Sequence, residues 1–416
     1  MTSESTADAG DPFELFDRAV GVGQCPDPYP VYQEMLAECP VHAGPQWERF
    51  GVQNTMDALF LGDLTPYFVL PYESVQNTLK DSETFSSTIM ERLNGVVMGH
   101  TIIEMDEPEH RLYRALISQS FTPMAIKRWE RDIVRPIVDE LFDDIAGKGK
   151  ADLAREVYFH LPARVIVSIF GLPPEDDIDT VYRKAVELIM ILADPALGMA
   201  ASNWLYDYFL SVLERKRKEP SEDLIGTLIR AEVDGHQLAD EEIIAFLRLL
   251  LPAGAETTYR SMCNLTVGLL THPDQLELLR KDRSLVAQAV EEGLRWEPPL
   301  TAVSRLVMHD TEIEGTQIPA GSAAQICIGA ANHDPARWDD PLRFDITREP
   351  QSHVAFGWGQ HVCLGMHLAR TEITAAIESL LDRLPNVRLD PDAGDVQITG
   401  FGFRGANSLP VLFDPA

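Results

Sequence analysis

The strongest constraint on how this 416-residue chain can fold is a stretch near its C-terminal end, Phe356-Gly357-Trp358-Gly359-Gln360-His361-Val362-Cys363-Leu364-Gly365. Its three glycines license tight or left-handed turns. From Met366 to about Leu384 apolar side chains recur at helical spacing. Cys363 is therefore expected where a loop enters a helix. Amide N–H groups and the positive helix end favour an ionised sulfur there, so the thiol pKa is predicted to be lowered. Phe356 can shield the sulfur, and Gly365, lacking a Cβ, leaves room for a flat ligand against the helix.

A lone buried cysteine is ordinarily a small hydrophobe, but a thiolate in such a loop is also an axial ligand by which proteins hold haem iron. The whole loop resembles the haem-ligating loop of the cytochromes P450, Phe-Gly-x-Gly-x-His-x-Cys-x-Gly, and every fixed position matches. The resemblance, which extends roughly from Tyr29 to the end, implies a mainly α fold with a small β lobe, in which residues 29–416 form one domain after a flexible lead-in at 1–28. It implies haem b (iron protoporphyrin IX) with Cys363 as axial thiolate, O2 as co-substrate, and contacts to haem from Phe356, Gly365 and Ala369.

Three further stretches fit that reading. Asp240-Glu241-Glu242 opens a helix with acids at its positive end. The helix continues apolar nearly all round, the pattern of a buried element, until Pro252-Ala253-Gly254-Ala255-Glu256-Thr257-Thr258. The proline removes one helix hydrogen bond and a Thr257 hydroxyl can compete for the Ala253 carbonyl, so a kink or opening is expected. The ordinary reading of Glu256 is an acid salt-bridged elsewhere. The stretch resembles the P450 signature in which the acid and the first threonine deliver protons during oxygen activation, which implies that role for Glu256 and Thr257, with Gly254 clearing space at the haem and Leu250 and Ala253 facing substrate.

His110 and Arg114, at i and i+4 on an expected helix, share a face. Such a pair is commonly a solvated surface pattern. The resemblance makes them donors to the haem propionates, together with Arg305 and His361. Glu292 and Arg295, at i and i+3, would ordinarily be a surface ion pair worth under about 1 kcal/mol. The resemblance makes them a buried bracing pair completed by Arg343. For substrate contacts it points to Met90, Leu93, Val97, Met98 and Ile102 in an aperiodic stretch, to Leu300, Thr301, Ala302 and Val303, and to Phe401.

Composition narrows the partners. With 35 Lys and Arg against 65 Asp and Glu, the net charge is −30, which disfavours nucleic acid and anionic membranes. No apolar run approaches the length of a membrane span and the N-terminal residues do not read as a signal peptide, so a monomer in the cytoplasm is expected. The five cysteines show no Cys-x-x-Cys pair, arguing against a disulfide framework or a zinc site. With no flavin or iron–sulfur signature, electrons are expected from a ferredoxin and its reductase, and the substrate is expected to be an apolar small molecule. A peroxide-driven peroxygenase and a non-catalytic haem-thiolate sensor or carrier are the alternatives.

Overall fold

A computed structural model of the chain describes residues 23–52, 60–95, 97–172, 176–189 and 194–415. Six helices position the site: α1 (Glu109–Ser118), α2 (His160–Phe170), α3 (Pro195–Lys218), α4 (Asp240–Thr271), α5 (Val286–Trp296) and α6 (Met366–Arg383). At 32 residues, α4 is about 48 Å long at ~1.5 Å per residue. It lies against α2, α3, α5 and α6, so it is buried on nearly every face, as its all-round apolar sequence requires. The Glu242 carboxylate accepts from the Ala239 N–H at 2.7 Å and closes the first turn.

The helix does not end at Pro252 but runs on to Thr271. The neighbouring helices hold both flanks of the proline, and tertiary packing rather than propensity decides helix continuity here. The Thr257 hydroxyl does donate to the Ala253 carbonyl, at 2.9 Å.

The β lobe is a five-stranded sheet of β1 (Val41–Ala43), β2 (Pro66–Val69), β3 (Phe85–Ser86), β4 (Val303–Val307) and β5 (Ala323–Ile326). Its spatial order is β1-β2-β5-β4-β3. Only β2 and β5 run parallel. Pairing of Arg305 with Ala324 puts a cation into a strand whose neighbours are apolar or small. Residues 23–28 are not a loose lead-in: Arg404 donates to the carbonyls of Cys25 and Pro26, at 2.8 and 3.1 Å, and the Gly400 N–H donates to that of Gln24. Residues 1–22 lie outside the described residues. Among the described residues no helix is long and apolar enough to cross a membrane.

The cationic run Arg215-Lys216-Arg217-Lys218 ends α3, as expected of a helix C-terminus. Its first three members pair with Asp176, Asp223 and Asp240.

Candidate active site

Between α4 and the N-terminal end of α6 lies a cavity of about 500 Å³. Cys363 sits at its base, two residues before the Gly365 that precedes α6. Gly357 and Gly359 take φ of 71° and 72°, and a Cβ on Gly359 would come within 2.6 Å of the Leu79 carbonyl oxygen. Only glycine fits that approach. The turn is closed by the Cys363 N–H donating to the Phe356 carbonyl at 2.8 Å. A Cβ added to Gly365 would meet nothing within 4 Å, so that face of the loop opens on the cavity.

Cys363 is exposed, but what it faces is the cavity. Enclosure by protein on its other sides pushes the thiol above its ordinary value. The Gly365 N–H, Arg114, Arg370 and the Met366 N–H all pull the other way without overcoming it. The lowered pKa expected from the helix end is therefore not realised in the protein alone, because desolvation of the thiolate outweighs the amides. A coordinated metal reverses that balance, since a ligating thiol is deprotonated outright.

At one rim of the cavity four basic side chains gather: His110 and Arg114 from α1, Arg305 from β4 and His361 from the cysteine loop. The His110 and His361 rings are 4.1 Å apart. Arg114 donates to the Val362 carbonyl at 2.8 Å and Arg305 to its neighbour Ser304 at 2.9 Å. Among the described residues no carboxylate lies within 4.0 Å of either guanidinium. Asp106, the nearest acid to act on Arg305, is occupied by Ser86 and by the Ser87 N–H. Both ring nitrogens of His110 are buried without a hydrogen-bond partner. Burial lowers the Arg305 pKa to about 10, and burial followed by Arg305, His110 and Arg114 lowers that of His361 to about 3. Orphaned nitrogens and unneutralised guanidiniums at a cavity rim suit a ligand carrying carboxylates. A thiol at the base and a flat apolar slot above it suit the rest of a haem.

The opposite walls are apolar. Met90, Val97, Met98 and Ile102 line the cavity, as do Leu250 and Ala253 of α4. Leu300, Ala302 and Val303 form a further side. Phe356, Gly365 and Ala369 lie at the base. The Leu93 side chain lies outside the described residues. Gly254 borders the cavity, but its missing Cβ would collide with Ile166, at 2.6 Å. It lets α4 lie close to α2, and a side chain there would have to displace the Ile166 δ-methyl.

Three expectations are corrected. Thr301 is buried away from the cavity, its hydroxyl donating to the Phe401 carbonyl. Phe401 packs on Phe50, with ring centroids 4.7 Å apart, and Phe403 lines the cavity instead. Gly400 at φ 104° turns the chain there, so strand alternation does not govern which phenylalanine points inward. Arg343 is exposed and pairs with Asp345 at 3.4 Å. The third member of the bracing network is Arg348, whose guanidinium lies 3.4 Å from Glu292. Arg295 holds Glu292 with two bonds of 2.7 and 2.8 Å. What Arg343 contributes is its carbonyl, which accepts from both Arg295 and Arg348.

Glu256 and Thr257 both border the cavity. Glu256 is buried and ion-paired with Arg260 of the same helix, Nε to Oε1 at 2.7 Å. Sequence reasoning missed Ile166, Ile169 and Phe170 of α2 as wall residues; their helix is apolar enough to be read as plain core. It also missed Glu372, a fully buried acid on the cavity lining whose pKa burial alone pushes well above the usual carboxylate range.

A mainly helical fold with a thiol beneath an apolar cavity and cations at its rim defines a haem-thiolate protein. Comparison with known proteins gives the family. The family model "Cytochrome P450" matches residues 200–399. The chain is 32% identical to the cytochrome P450 monooxygenase PikC of Streptomyces venezuelae, over 94% of this chain and 92% of that one. It is 36% identical to a steroid C26-monooxygenase of Mycobacterium tuberculosis, over 76% and 86%. The solved structure of CYP109Q5 from Chondromyces apiculatus superposes with a TM-score of 0.84 at 32% identity, covering 96% of this chain and 98% of that one. The chain belongs to the cytochrome P450 family and is a haem-dependent monooxygenase.

Proposed function

We propose that this monooxygenase holds haem b on the Cys363 thiolate and inserts one oxygen atom from O2, by hydroxylation or oxidative dealkylation, into an uncharged apolar substrate. Its electrons come from a ferredoxin and its reductase, since no cysteine spacing in the chain suits a cluster of its own. The observation that carries this reading is the division of the cavity: at one rim two guanidiniums with no carboxylate within 4.0 Å among the described residues, a thiol at the base, and hydrocarbon walls elsewhere.

Bound haem supplies the iron at which O2 is activated, with the thiolate donating electron density. The residues of the chain do the rest. Arg114, Arg305, His110 and His361 bind the propionates by charge-assisted hydrogen bonds. The Gly365 and Met366 N–H groups stabilise negative charge on Sγ of Cys363. Thr257, whose hydroxyl hydrogen rests on the Ala253 carbonyl, can turn that hydrogen towards the cavity and donate it there while accepting a replacement proton on a lone pair. Glu256, once its pairing with Arg260 loosens and it takes up a proton from solvent, supplies that replacement. Walls such as Met98, Ile102 and Leu250 exclude water and suit rigid polycyclic hydrocarbon frames, of the kind named in the steroid C26-monooxygenase relative.

The test is Cys363→Ser. The purified variant is expected to lose the ferrous carbonyl spectrum characteristic of thiolate-ligated haem, and an unchanged spectrum would mean another residue is the ligand. Thr257→Ala is expected to keep that spectrum while diverting most reductant away from product. Full coupling of reductant to product in that variant would remove Thr257 from the proton route.

A further inference from the structure

A buried cation outside the cavity has no part in the chemistry above. Arg248 of α4 is almost wholly buried and does not border the cavity. Among the described residues no carboxylate lies within 4.0 Å of it. Main-chain oxygens and one hydroxyl surround its guanidinium instead. Nη1 donates to the Val97 carbonyl at 3.1 Å and to Ser202 Oγ at 2.9 Å, and Nη2 donates to the Met98 carbonyl at 2.6 Å. The Ser202 hydroxyl donates to the same Val97 carbonyl at 2.5 Å. Tyr206, four residues further along α3, sets its ring 5.7 Å from the guanidinium carbon. Nε is buried with no partner.

Gly99 completes the arrangement. Its φ is +86°, and a Cβ there would fall 3.3 Å from Nη2. The backbone angle favours glycine, and a side chain would also crowd the guanidinium.

An unneutralised buried charge is a costly way to tie three segments together, and burial lowers its pKa to about 10. What an arginine provides is geometry. Two adjacent carbonyls, of Val97 and Met98, converge on one point, and a planar fork of N–H donors satisfies both where an ammonium or an amide would hold them less rigidly. Those two residues line the cavity. The same helix α4 carries Ala253 and Thr257 into it from the other side.

We propose that Arg248 is a positioning residue for the substrate wall: it fixes Val97 and Met98, and through Ser202 the start of α3, at a set distance from the Thr257 side of the cavity. The inference rests on reading that cavity as the haem and substrate chamber. A ligand large enough to touch the wall depends on Arg248; one that reaches only the iron does not.

The experiment uses haem-loaded wild type, Arg248→Met and Arg248→Lys, titrated with clotrimazole as a bulky iron ligand and with cyanide as a small one. Arg248→Met is expected to weaken clotrimazole binding about tenfold through faster dissociation, with cyanide affinity within about twofold of wild type, and Arg248→Lys to fall between. Unchanged clotrimazole affinity in Arg248→Met would overturn the proposal, as would equal weakening of both ligands, which would mark a general loosening of the haem site. Should Arg248→Met fail to retain haem, Ser202→Ala decides with the same two ligands: about threefold weakening of clotrimazole alone supports the assignment and no change overturns it. Wild type that binds neither ligand would instead sink the reading of the cavity itself.

Discussion

Two groups of buried and half-buried basic side chains are built on opposite principles. Around Glu292, Arg295 and Arg348 every charge has a counterpart: the carboxylate takes two bonds from Arg295 and faces Arg348. The Asp345 N–H donates to it at 2.9 Å, and Arg295 also reaches the carbonyls of Asn332 and Pro341. At the cavity rim His110, Arg114, Arg305 and His361 crowd together; among the described residues no carboxylate lies within 4.0 Å of either guanidinium, and the acid nearest His110, Glu107, stands 3.9 Å away. A closed network stabilises the fold only as a whole, because removing one member strands another. An open cluster destabilises the fold by itself and persists where something outside the chain completes it. The difference separates brace from binding site more sharply than residue identity, since both groups are made of the same side chains.

The widest break in that comparison is expected in the closed network. Glu292→Gln should lower unfolding stability by about 3–5 kcal/mol, the usual consequence of leaving buried cations unpaired, and reduce the yield of haem-loaded protein. Urea denaturation followed by circular dichroism measures it. A loss under about 1 kcal/mol would show the network to be open after all. At the rim the signs should separate. Arg305→Met removes a cation that burial disfavours, so apoprotein stability should hold or rise, while haem affinity falls by about 30-fold, roughly 2 kcal/mol. Apoprotein melting and haem transfer to apomyoglobin check the two halves. A parallel loss in both would place Arg305 with the brace.

Little of this distinction was legible in the sequence. The cysteine loop was, because glycines at fixed places dictate backbone geometry locally and Gly357 and Gly359 adopt it. The helix that follows it was legible from apolar spacing, and α6 begins and ends within about two residues of the stretch from Met366 to about Leu384. Which side chain of a non-helical segment turns inward is decided by partners far along the chain. Phe401 and Phe403 are two residues apart, yet Phe50 claims one and the cavity the other. The continuity of α4 through Pro252 is likewise tertiary, supplied by α2, α3, α5 and α6.

A smaller effect contrasts two histidines ten residues apart. Burial, then Arg114, hold the pKa of His110 below the ordinary value near 6.5. The folded apoprotein therefore binds fewer protons than the unfolded chain, and stability should decline as pH falls below about 6.5. His100 behaves oppositely. Burial pulls its pKa down, but hydrogen bonds with Glu109 and Glu104, each 3.0 Å, more than offset this and the net shift is upward. Its contribution is complete below about 6.5 and is lost as pH rises through its raised value. Apoprotein melting across this range should lose its acid-side slope in His110→Gln and its neutral-side decline in His100→Gln. Unchanged slopes would mean that neither histidine titrates differently in the folded chain.

The smallest effect is the sharpest control, since Arg343 and Arg348 lie five residues apart in one loop and face different surroundings. The Arg348 guanidinium is largely enclosed, shares Glu292 with Arg295 and donates to the carbonyls of Asp340 and Arg343, at 3.1 and 2.9 Å. The Arg343 side chain is 58% exposed and meets Asp345 at 3.4 Å. The carbonyl it lends to the network is main chain, which substitution of the side chain leaves in place. Arg343→Ala should therefore change unfolding stability by no more than about 0.5 kcal/mol. Arg348→Ala should cost several times more, because it leaves Glu292 with one cation and bares three carbonyls, Asp339 included. Equal losses in the two variants would mean that the loop as a unit braces Glu292, and that Arg348 holds no special place among its charges.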